Sequence, residues 1–355
     1  MFAVIMAGGA GTRFWPASNR KLPKQFLKIF GGRSLLEETL DRIRPLAPGN
    51  RIFLVVNESH QLLTAESLKD SAATILLEPI GRNTAACIGL AATHISRVDA
   101  REPIVALPAD HFVADAESFR RKLAAGVDIA RSGAIVTLGV SPDRPETGFG
   151  YVEAGDPAGV VNDEEFFAVK KFVEKPDLET AIQYVTGGRH LWNSGVFIFT
   201  AETILGEIQL FAPRLHAGLN EISRAIGTTS YGDVVSGVYG RLESISIDYA
   251  VMEKTDVPIY ALKGDFGWSD VGSWQALYDL HRVGADPAGN VLLGRAVTSD
   301  AKGNLVYSTT ERHVALVGVE GLAVVDTADG LLVTRLDRSQ DVKRVPELLK
   351  GGEGK

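Results

Sequence analysis

The chain has 355 residues, 45% hydrophobic and 23% charged, with a formal net charge of −7 and a single cysteine. That length fits more than one domain of about 100–200 residues, and the acidic balance argues against a nucleic-acid or anionic-membrane partner, since either requires a basic surface. One cysteine excludes an internal disulfide and fits a reducing, cytoplasmic setting; no apolar run approaches the roughly 20 residues of a membrane span, and the opening MFAVIMA is too short for a signal peptide.

Phe2–Ala7 is short, apolar and stopped by glycine, so it reads as a buried strand. Ser34–Leu46 carries Leu35, Leu36, Leu40 and Ile43 on one side and reads as a helix. RIFLVVN (51–57) and ATILLEP (73–79) read as strands, and the alanine-rich stretch 83–98 as a helix with Cys87 as a small core residue. PIVALPAD (103–110) reads as a strand, Ser118–Ala130 as a helix, and AIVTLGV (134–140) as a strand. Strands alternating with helices imply right-handed crossovers and a Rossmann-like, mainly parallel α/β sheet covered on both faces. FGYVEAG, FFAVKKFVEKP and SGVFIFT look like further strands that extend the sheet antiparallel, with helices after Pro176 and Thr200. VPIYALKG then leads through DFGWSDVGSW into a helix ending near Arg282. From Asp286 short β-rich pieces separated by Gly, Asn and Asp replace the helical period. The expected division is therefore a catalytic domain over 1–285 and a small β-rich domain over 286–355, with a frayed tail LLKGGEGK. The GN pairs at Gly289-Asn290 and Gly303-Asn304 hint at stacked coils.

The chemistry concentrates after the first strand. Gly8, Gly9 and Gly11 are followed by Thr12, Arg13 and Lys24. Glycines there free the backbone and remove the Cβ that would hold a ligand away, and consecutive N–H groups cradle anionic oxygens. The carboxyl ends of strands in open α/β sheets are where ligands bind, so a phosphate site is the economical reading. The Walker pattern fails because Arg13 occupies its second-glycine position, and the dinucleotide fingerprint fails at Phe14. The sequence G-G-x-G-T-R with a downstream Pro23-Lys24 resembles the sugar-nucleotide pyrophosphorylases, a nucleotidyltransferase family, and the variant RFWPASNRKLPKQF looks most like the guanylyltransferases that act on mannose 1-phosphate. In that family the loop wraps a nucleoside triphosphate, with the arginine and lysine on its phosphates.

Other motifs agree in order along 1–285. EPIGRNTA (78–85) joins a strand to a helix, with Asn83-Thr84 suited to an N-cap; the resemblance turns it toward the guanine base, whose N–H donors want acceptors such as Glu78. LPADH puts Asp110 at a strand end, where an N-cap is the plain alternative, and GWSDVGSW offers Asp270. Magnesium takes one or two carboxylates plus phosphates and waters; the resemblance pairs Asp110 with Asp270 as its ligands. It likewise implies sugar-phosphate contacts from Gly150 in TGFGYVE, Glu174 and Lys175 in FVEKP, and Asn193 and Gly195 in WNSGVFIF. Asp248 in SIDYAVMEK reads equally as a helix N-cap or a sugar contact.

The resemblance implies transfer of GMP from GTP to mannose 1-phosphate, with Mg²⁺ as cofactor and Arg13, Lys24, Asp110 and Asp270 as the catalytic set. Removing Lys24 is expected to cost turnover and little stability. Relatives often end in a short left-handed β-helix that helps two copies dimerise; others continue into a cupin-type isomerase domain, for which this chain stops too early. The same chemistry on another sugar phosphate and nucleotide, or a catalytically silent regulatory homologue, remain the alternatives.

Overall fold

The structure, a computed structural model, describes all residues other than Ala10, Lys69, Asp70 and 353–355, and side chains up to Leu349. Its strands are β1 (Phe2–Ala7), β2 (Ile52–Asn57), β3 (Thr74–Glu78), β4 (Pro103–Pro108), β5 (Phe112–Val113), β6 (Ile135–Val140), β7 (Gly150–Val161), β8 (Glu164–Glu174), β9 (His190–Thr200), β10 (Ile259–Gly264), β11 (Trp268–Ser269), β12 (Val291–Leu293), β13 (Ala296–Ser299), β14 (Leu305–Ser308), β15 (Val314–Val317), β16 (Leu322–Thr327) and β17 (Gly330–Arg335). The helices are α1 (Leu35–Ile43), α2 (Gln61–Ser67), α3 (Asn83–Asp99), α4 (Ala116–Ala130), α5 (Leu178–Gly187), α6 (Ala201–Phe211), α7 (Pro213–Ala225), α8 (Tyr231–Arg241), α9 (Trp274–His281) and α10 (Val345–Gly352). The chain forms two compact units, one from Met1–Gly8, Glu37–Ala109 and Val113–Trp268, the other from Gly9–Leu36, Asp110–Phe112 and Ser269–Lys355.

The first unit is built on a nine-stranded sheet in the order β3-β2-β1-β4-β9-β6-β10-β8-β7. Its left part is parallel, with Val4 opposite Phe53 and Ala106, as expected of apolar strands linked by helices. The strands β9, β8 and β7 run antiparallel to their neighbours, the expected extension. Alternation along each strand sends side chains to opposite faces. Phe2, Val4, Ala106, Phe197 and Phe199 pack with residues of α3, α6 and α7 in one core. On the other face, Gly126 of α4 lies so close to Ile198, Val136 and Leu262 that a Cβ would strike the Ile198 side chain. Asp115 caps α4 by accepting from the Glu117 and Ser118 amides, so the cap role considered for Asp110 belongs to Asp115.

The second unit contains the glycine-rich loop and the C-terminal β-rich region. β12, β14 and β16 stack in parallel, with Val291 opposite Leu305 and Leu305 opposite Ala323, while β13 and β15 form a second parallel wall. The two GN pairs are the corners of these coils. Asn290 Oδ1 accepts from the Asn304 amide at 3.0 Å and from its side-chain Nδ2 at 2.9 Å, and Asn304 Oδ1 accepts from Leu322 N in the next coil. Both asparagines are buried, so each coil satisfies the backbone of its neighbour. The tail expected to fray is helical through Gly352; 353–355 lie outside the described residues. Among the described residues no helix is long and apolar enough to cross a membrane.

Candidate active site

Within the second unit, a cavity of about 340 Å³ is lined by Gly11, Thr12, Arg13, Lys24, Asp110, His111, Asp270 and Lys343, among others. Gly11 has φ 59°, and a Cβ there would lie 2.5 Å from Lys24 Cβ and 2.9 Å from its backbone N, so only glycine lets the loop fold down on Lys24. Phe14 holds the loop from below, buried against Trp274 with ring centroids 4.8 Å apart, and the Trp274 indole donates to the Trp15 carbonyl at 3.3 Å.

Lys24 is the centre of the cavity. It is 7% exposed, its Nζ lies 2.9 Å from Asp110 Oδ2, and it donates to the Asp270 carbonyl at 2.5 Å. One ammonium thus ties together aspartates 160 positions apart in sequence. Burial alone would raise the Asp110 carboxyl, but the charges of Lys24 and His111 outweigh it and hold the group below the usual carboxylate range. The Asp270 carboxylate accepts from Gly272 N at 3.1 Å. The intervening Val271 carries a left-handed φ of 47°, a costly state for a β-branched residue, and its side chain is fully buried in the core with Phe14 and Trp274. That anchoring turns the Asp270 carbonyl toward Lys24. Because Lys24 is buried and ion-paired, its removal would leave the Asp110 carboxylate without its partner cation, and a stability loss is predicted in place of the small one expected from the sequence.

Two half-buried carboxylates in one cavity match a hard divalent cation that completes its shell with phosphates and waters. Among the described residues there is no group of three or more His, Cys, Asp and Glu arranged for a metal.

The first unit holds the other residues singled out in the sequence. Glu78, at the end of β3, is 3% exposed; its Oε1 has no partner among the described residues, and a Cβ on Gly8 would approach Oε2 at 3.2 Å. Burial pushes its pKa up to about 7, against a hydrogen bond from the Tyr239 hydroxyl. Asn83 is exposed with φ 66° and bonds its own neighbour, Oδ1 accepting from Thr84 N at 2.8 Å, so it is not an ordinary N-cap. The Thr84 hydroxyl accepts from Ile247 N at 2.9 Å, tying this segment to the residues before the π-helical turn Asp248–Met252.

Gly150, Glu174, Lys175, Asn193 and Gly195 come together. A Cβ on Gly150 would collide with Glu174 Oε2 and lie 3.3 Å from Asn193 Cβ, so a side chain there would displace the Glu174 carboxylate. Lys175 Nζ donates to Glu174 Oε1 at 2.7 Å; partial burial pulls the lysine pKa down, but Glu174 more than offsets this and holds it above its usual value. Asn193 accepts from Gly195 N at 3.0 Å and donates to Asp248 Oδ1 at 2.8 Å. Asp248 opens the π-helical turn and makes no cap; burial and then the Glu174 charge raise its carboxyl to about 6. The sequence left Asp248 undecided between two roles and passed over Lys343 and Val271. Asp248 had a signal, the polar break before the apolar run YAVM; Lys343 sits in a charged stretch that resembles any solvated surface.

The nucleotidyl transferase family matches residues 2–286, and the MannoseP isomerase/GMP-like beta-helix domain matches residues 294–349. The mannose-1-phosphate guanylyltransferase 2 of Escherichia coli O157:H7 is 38% identical over 99% of this chain and 73% of its own length. That of Salmonella muenchen is 39% identical over 99% of this chain and 73% of its own. A solved structure from Thermus thermophilus, described as a mannose-1-phosphate geranyltransferase, aligns with a TM-score of 0.88 at 38% identity, covering 98% of this chain and 99% of that one. Nucleotidyltransferases of this kind generally use a divalent metal ion. The glycine-rich loop over Lys24, the two aspartates it joins and the β-helical C-terminal coils are features of one lineage: the chain belongs to the nucleotidyl transferase family, with the mannose-1-phosphate guanylyltransferases as its relatives.

Proposed function

We propose that the protein transfers GMP from GTP to α-D-mannose 1-phosphate, giving GDP-mannose and pyrophosphate. The observation that carries this reading is Lys24 Nζ in contact with both the Asp110 carboxylate and the Asp270 backbone beneath a glycine-rich loop. The likeness to named mannose-1-phosphate guanylyltransferases supports the choice of substrates.

The nucleophile is a phosphate oxygen of the sugar phosphate, anionic at neutral pH, so no general base is required. The obstacle is the approach of one polyanion to another, and catalysis reduces to charge compensation and in-line positioning. In this reading Gly8, Gly9, Gly11 and Thr12 line the triphosphate with backbone N–H groups, and Arg13 and Lys24 bear on its phosphates. Asp110 and Asp270 would hold Mg²⁺, which when bound polarises the α-phosphate and orients the reactants. Glu78, with Asn83 and Thr84 nearby in sequence, receives the guanine edge. Gly150, Glu174, Asn193 and Gly195 engage the sugar hydroxyls, and Lys175 meets the sugar phosphate. Residues 1–285 are read as the catalytic domain and 286–355 as the β-rich domain. That domain, on which Val297, Val317, Leu331 and Val333 are exposed, is read as the surface through which two copies pair, and the protein is read as cytoplasmic.

The test is a matrix of nucleoside triphosphates against sugar 1-phosphates, read as pyrophosphate release in Mg²⁺. The expected maximum is GTP with mannose 1-phosphate. A maximum at another pair would replace the substrates, and no release from any pair would remove the reading.

A further inference from the structure

One residue of the phosphate cavity comes from far outside the motifs that define it. Lys343 lies in the 3-10 stretch Leu336–Arg344 and lines the same cavity as Arg13, Lys24, Asp110 and Asp270. Its placement is built in. The Leu336–Arg344 stretch packs on the Thr12–Phe14 turn of the glycine-rich loop. Leu336 and Val342 are buried in the core that holds Phe14 and Trp274, and Ser339 Oγ accepts from Gln275 N at 3.3 Å, just beyond Asp270 in sequence. The β16–β17 turn grips the other end of the loop: Asn19 Nδ2 donates to Asp329 Oδ2 at 2.8 Å, and a Cβ on Gly330 would stand 3.0 Å from the Trp15 ring. Buried Val342 thus precedes an exposed lysine whose backbone is fixed against the loop.

The charges in the cavity are unevenly engaged. Lys24 is in contact with the Asp110 carboxylate and with the Asp270 backbone carbonyl, so its ammonium is already engaged by both residues. The remaining fixed cations lining the cavity are Arg13 and Lys343. When the sugar-phosphate oxygen bonds to the α-phosphorus, the bond from that phosphorus to the bridging oxygen breaks and its electron pair leaves with pyrophosphate. Negative charge therefore grows on the departing group in the transition state, where a positioned cation lowers the barrier.

We propose that Lys343 is a catalytic residue that binds the β- and γ-phosphates of the nucleotide and stabilises the departing pyrophosphate, so that the C-terminal region completes the active site. The ammonium keeps its protons throughout. This assignment rests on the reading of the cavity as a nucleoside triphosphate site, set out above.

The test compares Lys343→Gln, Lys343→Arg and Arg344→Gln in the full chain. Arg344 is its exposed neighbour in the same stretch and is absent from the cavity lining. Pyrophosphate binding with Mg²⁺ is measured by calorimetry, and KM is measured separately for GTP and mannose 1-phosphate. Loss of one charge-assisted contact predicts a roughly tenfold to hundredfold weaker pyrophosphate affinity and higher GTP KM in Lys343→Gln. The mannose 1-phosphate KM should stay unchanged, Lys343→Arg should recover most of the affinity, and Arg344→Gln should match the parent. Wild-type pyrophosphate affinity in Lys343→Gln, or an equal loss in Arg344→Gln, would overturn the assignment. Pyrophosphate binding that depends on Lys343 in a protein making no GDP-mannose would sink the substrate reading and leave the lysine's role standing.

Discussion

The cavity around Lys24 and the cluster around Asn193 differ in their electrostatics. In the cavity opposite charges touch, and the Lys24 ammonium holds Asp110 ionised. In the cluster two carboxyls share one lysine: Lys175 pairs with Glu174, while burial together with the Glu174 charge pushes the Asp248 carboxyl up to about 6. The first arrangement suits a substrate whose charge must be offset, and the second suits neutral hydroxyls that need donors and acceptors in fixed directions. Asn193 shows the difference in one side chain: its amide bonds Asp248 on one side and the Gly195 backbone on the other, and it carries no charge at all.

The hardest blow to this contrast is Lys24→Ala. Turnover should fall about a thousandfold, and the free energy of unfolding should also drop, by roughly 1–3 kcal/mol, because Asp110 loses its partner. Initial rates and thermal unfolding check both; near-parental turnover would take Lys24 out of the mechanism. Asp110→Asn should raise the divalent-ion concentration for half-maximal activity by at least about tenfold, the scale of changes even one shell further out. An unchanged metal titration would count against the two-carboxylate assignment. Asn193→Ala sharpens the comparison from the other side: the KM for mannose 1-phosphate should rise about tenfold while that for GTP holds. A parallel rise in both would erase the division of labour. The smallest effect is pH dependence at Glu78. Its carboxyl is raised to about 7, so it is mostly protonated at pH 6 and mostly an acceptor-only carboxylate at pH 8. The KM for GTP should fall roughly threefold to tenfold across that range, and Glu78→Gln should flatten the profile. A profile that kept its slope in the variant would free Glu78 from any contact with the base.

Much of this was legible before any coordinates. Short apolar strands followed by Gly8 or running up to Glu78 and Asp110 put chemistry at strand ends, because chain reversal there needs glycine, caps and turns. The stacked corners were visible as repeated GN, and the side-chain ladder explains why asparagine recurs. What stayed hidden depends on contact across long separations. Val271 reads as one more apolar residue until its left-handed backbone and complete burial are seen together. Lys343 differs from Arg344 only by the direction its neighbours force on it, and the fixed positions of Val342 and Ser339 are not written in the local pattern. The α7 helix carried its signal in Pro213 at the first turn, whereas α8 has glycines at 232, 237 and 240 and forms through burial of Val235, Val238 and Tyr239.

The second unit is threaded from both ends of the chain, since Phe14, Ala17, Leu27 and Ile29 share a core with Trp274, Val291, Leu305 and Leu332. During synthesis the glycine-rich loop leaves the ribosome early, but the surface that shapes it does not yet exist. Its apolar side chains must wait, solvent-facing or loosely covered, until the coils are translated. The nascent protein therefore settles its glycine-rich loop as one of its last folding events, and quality control that senses exposed apolar loops has a long interval in which to act on it.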